Sequence, residues 1–383
     1  MVQIAQPAPA PTALPALGDA SRCVTLPEPL ALRRGGVLEQ VQIAYETWGS
    51  LSAERDNAVL IFTGLSPGPH AASCEADTSP GWWEYMIGPG KPIDSNRYFV
   101  ICVNSLGSCF GSTGPSSVNP ASGAPYRLEF PELTIEDIAA ATHAALRELG
   151  IERLHTVVGA SLGGMSTLAY AMMFPQAVRR LAVISAAVHA TTFAIADRSL
   201  QREIIRSDPG WRGGEYPLDR PPLNGLRLAR KLGLMSYRSA TEWQHRFARE
   251  RVAQQGPTES FGAEFQIESY LEANADKFMR VFDANSYLYL SRAMDWFDAA
   301  EHGRSLAQAL GRIEAREALV IGVRSDFLFP VAQQRELAEL LSQAGRRVRL
   351  VELDSVQGHD AFLVDKERFA PEVGRFFETG ALA

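Results

Sequence analysis

The 383-residue chain has no Cys-x-x-Cys pair, no excess of positive charge and no apolar run long enough to cross a bilayer. Its four cysteines, Cys23, Cys74, Cys102 and Cys109, form no cysteine-histidine cluster with zinc-ligand spacing, so no metal site is expected. Four free thiols in a reducing compartment is the favoured reading, with a disulfide as the alternative. Lys+Arg 37 against Asp+Glu 44 leaves a net charge of −7. That balance offers no general attraction to nucleic acid or to an anionic membrane. A spanning helix needs about 20 apolar residues, and no run approaches that. The opening MVQIAQPAPAPTALPAL lacks the basic start and apolar core of a signal peptide, and a cytoplasmic location is expected. Histidine is also scarce, at seven, which shortens any search for a general base.

What is present is a series of short buried-strand patterns. Residues 1 to about 20 are Pro/Ala-rich and predict a disordered arm. Val41 to Trp48 alternates apolar and polar residues, as a partly exposed strand does. Ala58–Phe62 and Tyr98–Val103 are apolar runs that empty into polar loops, the habit of parallel strands with binding loops at their carboxyl edge. Thr134 with Asp137 three residues on predicts a capping box opening a helix that ends at Gly150. A strand at 155–159, a helix at 166–174 and a strand at 181–185 follow, the lengths of a βαβ unit. Between about 190 and 315 helical segments replace the strands, at 225–232, 240–253 and 285–299. Strands resume at 318–323 and 348–353, and an amphipathic helix ending in Phe376-Phe377 closes the chain. The expectation is an α/β fold with a mostly parallel sheet: a core of residues 21–189 and 316–383, and a helical lid inserted at 190–315. Ordinary crossover helices are the alternative for that insertion.

Gly159-Ala160-Ser161-Leu162-Gly163 matches the G-x-S-x-G turn between strand and helix that lifts a serine hydroxyl out of an α/β-hydrolase sheet. The same turn aims the Leu162 N–H at the oxygen of an attacked carbonyl. A serine hydroxyl needs a general base. His359 lies just after the last strand, where this fold supplies one, and His189 is the reserve. Asp326 follows the 318–323 strand and is the expected acid, with Asp360 as runner-up. The chain order Ser161, Asp326, His359 is the α/β-hydrolase order. The second oxyanion donor is expected from the loop after an early strand, at the Leu65 N–H.

Longer motifs add a resemblance. Ala44-Tyr45-Glu46-Thr47-Trp48-Gly49, Gly107-Ser108-Cys109-Phe110-Gly111, Phe282-Asp283-Ala284-Asn285-Ser286 and Gly358-His359-Asp360-Ala361-Phe362 are similar to those of the homoserine O-acetyltransferase family. The resemblance covers about residues 30–378. It implies the α/β-hydrolase fold, the same Ser161–Asp326–His359 triad, a helical lid and a homodimer joined through that lid. It also implies transfer of an acyl group from a coenzyme A thioester to an amino-acid hydroxyl, with no bound cofactor. By the same resemblance Arg202 would face the substrate carboxylate, Asp360 the α-ammonium, and Tyr237 the pocket.

Gly107-Ser108-Cys109 and Tyr126-Arg127-Leu128 look like the serine O-succinyltransferase branch of that family. Succinyl-CoA carries an added carboxylate, and Arg127 is the expected donor-selectivity residue. L-Serine is the expected acceptor and succinyl-CoA the expected donor. Acetyl-CoA and L-homoserine are the alternatives, and a small-ester hydrolase is the rival class.

Overall fold

The structure, a computed structural model, describes residues 18–253 and 260–379. All but the last three residues of the expected arm lie outside that range. Among these residues eight strands form the central sheet: β1 (Arg22–Thr25), β2 (Gln42–Trp48), β3 (Ala58–Phe62), β4 (Phe99–Val103), β5 (Thr156–Ala160), β6 (Arg180–Ile184), β7 (Glu317–Val323) and β8 (Arg347–Leu353). Their spatial order is β1-β2-β4-β3-β5-β6-β7-β8. β2 runs antiparallel to β1 and β4, and every pairing from β4 to β8 is parallel.

The strand sequences account for this layering. Side chains alternate across a strand, so a strand buried on both faces reads as a continuous apolar run. In β3, Ala58, Leu60 and Phe62 enter one core while Val59 and Ile61 enter the other. β6 divides the same way, Leu181 and Val183 against Ala182 and Ile184. The first core is closed by α1 (Ile135–Glu148), α2 (Leu162–Met173) and, further along the chain, helix 331–343. The second is closed by Trp83, Tyr98 and the Phe369, Phe376 and Phe377 face of the last helix.

The predicted cap of α1 is present: Thr134 Oγ1 accepts from the Asp137 N–H at 3.2 Å, and Asp137 Oδ2 accepts from the Thr134 N–H at 2.8 Å. The helix after the G-x-S-x-G turn begins at Leu162 rather than Ser166, because Gly163 and Gly164 form its first turn. The strand β1, at the sheet edge and mostly exposed, carries no apolar run and escapes a periodicity reading.

Between β6 and β7 the described residues form six α-helices: α3 (Thr192–Ser207), α4 (Leu223–Tyr237), α5 (Ala240–Phe247), α6 (Gln266–Met279), α7 (Ala284–Trp296) and α8 (Leu306–Gly311). One crossover helix would suffice to join two parallel strands, so the insertion is a helical cap. The segment expected to be helical to 253 stops at Phe247, where Ala248 turns to φ 44°. After β7 come α9 (Val331–Gln343), the short α10 (Ala361–Val364) and α11 (Lys366–Thr379). All four cysteines are free thiols. No helix among the described residues is long and apolar enough to cross a membrane.

Thr134 is buried, and its hydroxyl accepts from the Asp137 N–H and donates to Asp137 Oδ2 at 2.8 Å. Thr134→Ala should therefore lower unfolding free energy by about 1 kcal/mol, within the range for lost N-caps, as read from urea midpoints. An unchanged midpoint would show that the cap contributes nothing.

Candidate active site

The site is built at the carboxyl edge of the parallel strands, starting from one turn. Ser161 joins β5 to α2 with φ 55° and ψ −124°, a conformation that side-chain-bearing residues avoid. The turn is tight enough to dictate its neighbours. A Cβ on Gly159 would lie 2.0 Å from the Gly163 carbonyl oxygen, and one on Gly163 would lie 2.4 Å from that of Phe62. Only glycine fits at either place. The turn is pinned where the Ser161 N–H donates to the Ile184 carbonyl at 3.1 Å.

His359 sits in a short 3-10 turn, Gly358–Asp360, after β8. Its Nε2 is 2.9 Å from Ser161 Oγ, and its Nδ1 is 2.8 Å from Asp326 Oδ2. The other Asp326 oxygen accepts from the Leu328 and Phe329 N–H groups, both at 2.9 Å. Two backbone donors thus fix the carboxylate, which in turn fixes the imidazole. The Phe329 ring stacks on the imidazole with centroids 5.1 Å apart. Burial alone would push the His359 pKa down. The charge and hydrogen bond of Asp326, with added charge from Asp360, override this and hold it above its ordinary value, while Arg198 opposes.

Leu65 follows β3 and lines the cavity in front of Ser161. Among the described residues the N–H groups of Leu65 and Leu162 have no protein acceptor. Leu162 is the first residue of α2, where the helix dipole favours negative charge. The Leu65 loop is tied down further along: the Trp82 indole N–H donates to the Gly68 carbonyl at 3.1 Å, and His70 Nδ1 lies 2.9 Å from the buried Glu46 carboxylate. This arrangement can attack a carbonyl, hold the resulting oxyanion and shuttle one proton.

The same cavity is lined by Asp197, Arg198, Arg230, Tyr237, Asp360 and a largely apolar rim including Met294 and Phe362. Tyr237 and Asp360 are therefore where the sequence places them. Arg202 is not. Its Nη1 donates to Ser291 Oγ at 2.9 Å and its Nη2 pairs with Asp295 at 2.7 Å, and it lines an outer groove with Trp211 and Trp296. The guanidinium is drawn to α7 instead of the cavity. Arg127 also lies elsewhere: it pairs with Glu215 and is absent from the cavity wall. Sequence reasoning missed two residues in their stead. Arg198 lies one helical turn before Arg202, and Arg230 lies two turns before Tyr237 on α4, and both line the cavity. Arg230 is held over the Phe278 ring, 4.5 Å from its centroid.

His189, the reserve candidate, lies away from Ser161. Its backbone carbonyl accepts from Gln333, and its ring is outside the cavity wall. His143 stacks on Phe174, with centroids 3.8 Å apart.

A family model described as alpha/beta hydrolase fold matches residues 57–366. Serine O-succinyltransferase of Litchfieldella anticariensis is 61% identical over 362 residues, covering 94% of this chain and 98% of that protein. L-Serine/homoserine O-acetyltransferase of Streptomyces lavendulae is 55% identical over 362 residues, covering 93% and 97%. Among solved structures, homoserine O-acetyltransferase from Bacillus anthracis aligns with TM-score 0.85 at 31% identity, over 93% of this chain and 96% of that one. Esterase E22 aligns with TM-score 0.83 at 29% identity, over 93% and 99%. The chain belongs to the α/β-hydrolase family and, within it, to the homoserine O-acetyltransferase-like branch that includes the serine O-succinyltransferases.

The imidazole must be neutral to accept the Ser161 proton. With its pKa raised, kcat/KM for the acyl donor should fall as pH drops through a midpoint above about 6.5. Asp326→Asn removes the charge that holds the value up. Its midpoint should move to lower pH, and its plateau rate should fall by about 10⁴-fold through loss of the correct tautomer. A midpoint unmoved by the substitution would separate Asp326 from His359.

Proposed function

We propose that this chain is an L-serine O-succinyltransferase working through a Ser161 acyl-enzyme. The observation that carries the reading is the composition of the Ser161 cavity. A nucleophile and its base share it with two guanidinium groups and two carboxylates, a charge pattern suited to an acyl carboxylate and a zwitterionic acceptor. The 61% identity to a serine O-succinyltransferase supports the donor and acceptor.

Ser161 Oγ attacks the thioester carbonyl of succinyl-CoA as His359 Nε2 takes its proton. The tetrahedral oxyanion is held by the N–H groups of Leu65 and Leu162. The C–S bond breaks, and His359 returns the proton to the coenzyme A thiolate. L-Serine then enters, with Arg230 meeting its carboxylate and Asp360 its ammonium. His359 takes the hydroxyl proton, the serine oxygen attacks the acyl-enzyme, and O-succinyl-L-serine leaves as the proton passes back to Ser161 Oγ. The helical insertion keeps water from the ester during this exchange. The product is an activated serine, suited to displacement by a sulfur nucleophile on the way to cysteine. We assign residues 21–189 and 316–383 to the catalytic core and 190–315 to the lid.

Two copies are proposed to join through the lid. Phe193 and Leu200 on α3 and Met235 on α4 are exposed apolar side chains that such an interface would cover. We place the reaction in the cytoplasm, where acyl-CoA is at hand and four free thiols persist.

A second reading, acetyl transfer to serine or homoserine, is favoured by the likeness to the Streptomyces lavendulae enzyme. Plain ester hydrolysis is favoured by the likeness to esterase E22. Steady-state rates for succinyl-CoA and acetyl-CoA, each with L-serine, L-homoserine or no acceptor, discriminate all three. Succinyl-CoA with L-serine should give the highest kcat/KM, with homoserine lower by about 10- to 200-fold for its extra methylene. Preference for acetyl-CoA would overturn the donor assignment. Coenzyme A release that is equally fast without an amino acid would make the enzyme a hydrolase.

A further inference from the structure

The two oxyanion donors stand on unequal footings. The Leu162 N–H belongs to the first turn of α2 and is as rigid as that helix. Leu65 instead lies in an irregular loop that leaves the end of β3. Among the described residues no backbone N–H from Gly64 to His70 donates to a backbone carbonyl. Where the Leu65 N–H points is therefore set by the ends of the loop and by one contact between them, the Trp82 indole on the Gly68 carbonyl. At the near end Thr63 Oγ1 lies 3.2 Å from Ser105 Oγ. At the far end stands His70, a titratable group that neither lines the Ser161 cavity nor belongs to the triad.

Both ring nitrogens of His70 face acceptors. Nδ1 lies 2.9 Å from Glu46 Oε2, and Nε2 lies 2.9 Å from the Ser79 carbonyl oxygen. The Ser79 hydroxyl is 3.2 Å from Nε2, but it donates its own proton to Asp77 Oδ1 at 2.6 Å. A neutral imidazole has one N–H and can serve only one of these two sides, so the geometry is that of an imidazolium. The surrounding charges agree. Glu46 on β2 is 1% exposed, with its other oxygen accepting from the Ser21 hydroxyl at 2.5 Å, and Asp77 Oδ2 lies 3.8 Å from Nδ1. Burial alone would push the His70 pKa down. The hydrogen bonds to Glu46 and Ser79 and the charges of Glu46 and Asp77 hold it above its ordinary value.

This ring ties the loop to the sheet. β2 is hydrogen-bonded to β4 in the central sheet, so Glu46 is a fixed post. The main chain at His70 is pinned as well: its carbonyl accepts from the Trp82 N–H at 3.2 Å, and the Ala71 carbonyl accepts from the Trp83 N–H at 2.8 Å. A Cβ on Gly81 would lie 2.2 Å from the Ala71 carbonyl carbon, so the two segments are in contact with no room between them.

We infer that His70 is a positioning residue for the reaction: as an imidazolium clamped between Glu46 and the Ser79 carbonyl, it fixes the far end of the loop that carries the Leu65 oxyanion donor. It touches no reacting atom and acts through Leu65. The inference rests on the Ser161 acyl-enzyme reading, whichever acyl donor is used. Loss of the His70 proton leaves one of its two contacts unmade and frees the loop end. The anchor is therefore complete at low pH and lost as pH rises through the raised His70 pKa. That sign is opposite to the requirement at His359, which must be neutral to take the Ser161 proton.

The test reads acylation alone, so that no amino-acid ammonium titrates in the assay. The p-nitrophenol burst from p-nitrophenyl acetate and coenzyme A release from succinyl-CoA are followed from about pH 6 to about pH 10. The unmodified enzyme is compared with His70→Asn and His70→Gln, with melting temperatures alongside. Asn can keep an N–H towards Glu46 and Gln one towards Ser79, and neither titrates. The unmodified enzyme should rise through the His359 midpoint and then fall on the alkaline side. Both variants should lose that fall. Their saturated acylation rates should drop about 10- to 100-fold, less than for an oxyanion donor removed outright, with KM within about 2-fold. A merely structural role would lower the melting temperature and leave the pH profile of the folded enzyme unchanged. If the variants unfold, NMR titration of the His70 imidazole in the unmodified enzyme decides, because its midpoint must coincide with the alkaline fall. An alkaline fall that persists in a folded variant, or a His70 ring already neutral where acylation is fastest, would overturn the inference. A nitrophenol burst without coenzyme A release would count against the proposed acyl donor alone.

Discussion

Everything the site does depends on the turn at Ser161. A strand and a helix joined by one residue with φ 55° project that residue's side chain clear of the sheet, and two neighbouring glycines make the close backbone approach possible. Such a backbone costs of the order of 1–3 kcal/mol, and the sheet sustains it by surrounding β5 with fully buried strands on both sides. The same geometry places the Leu162 N–H at a helix start. Nucleophile and oxyanion donor are consequently one structural element, and neither can be moved without the other.

Around that turn the electrostatics form two tiers. The inner tier is neutral in sum once catalysis begins: the Asp326 carboxylate, fixed by two backbone N–H groups, balances the imidazolium that His359 becomes. The outer tier comes from the helical insertion and holds arginines and carboxylates for charged substrates. Asp295 couples this tier to the protein surface, since its two oxygens bind Arg198 towards the cavity and Arg202 towards the outer groove. Arginines on the inserted helices thus share one cavity with the serine, histidine and aspartate positioned by the core.

This division explains what could be read from the chain. The strands were legible because each is a short apolar run buried on both faces, and the triad because each member follows a strand end. Ala58–Phe62 and Gly159–Gly163 carry their information locally. The cap of α1 was legible for the same reason, in Thr134 and Asp137. Arg202 and Arg127 were misplaced because the direction of a long side chain is set by partners distant in sequence. Arg202 turns towards Ser291 and Asp295, 89 residues on in the case of Ser291. Arg198 and Arg230 could have been found from helical spacing to Arg202 and Tyr237, but nothing local says which turn of an inserted helix faces the sheet.

The account's central claim is that acyl transfer passes through an ester on Ser161. Intact and peptide mass spectrometry after mixing with succinyl-CoA, in the absence of any amino acid, tests it most directly. The account predicts a succinyl adduct on the peptide containing Ser161, absent in Ser161→Ala and discharged within the turnover time when L-serine is added. An enzyme that turns over succinyl-CoA and L-serine with Ser161 unmodified throughout, or with Ser161→Ala still active, would contradict it.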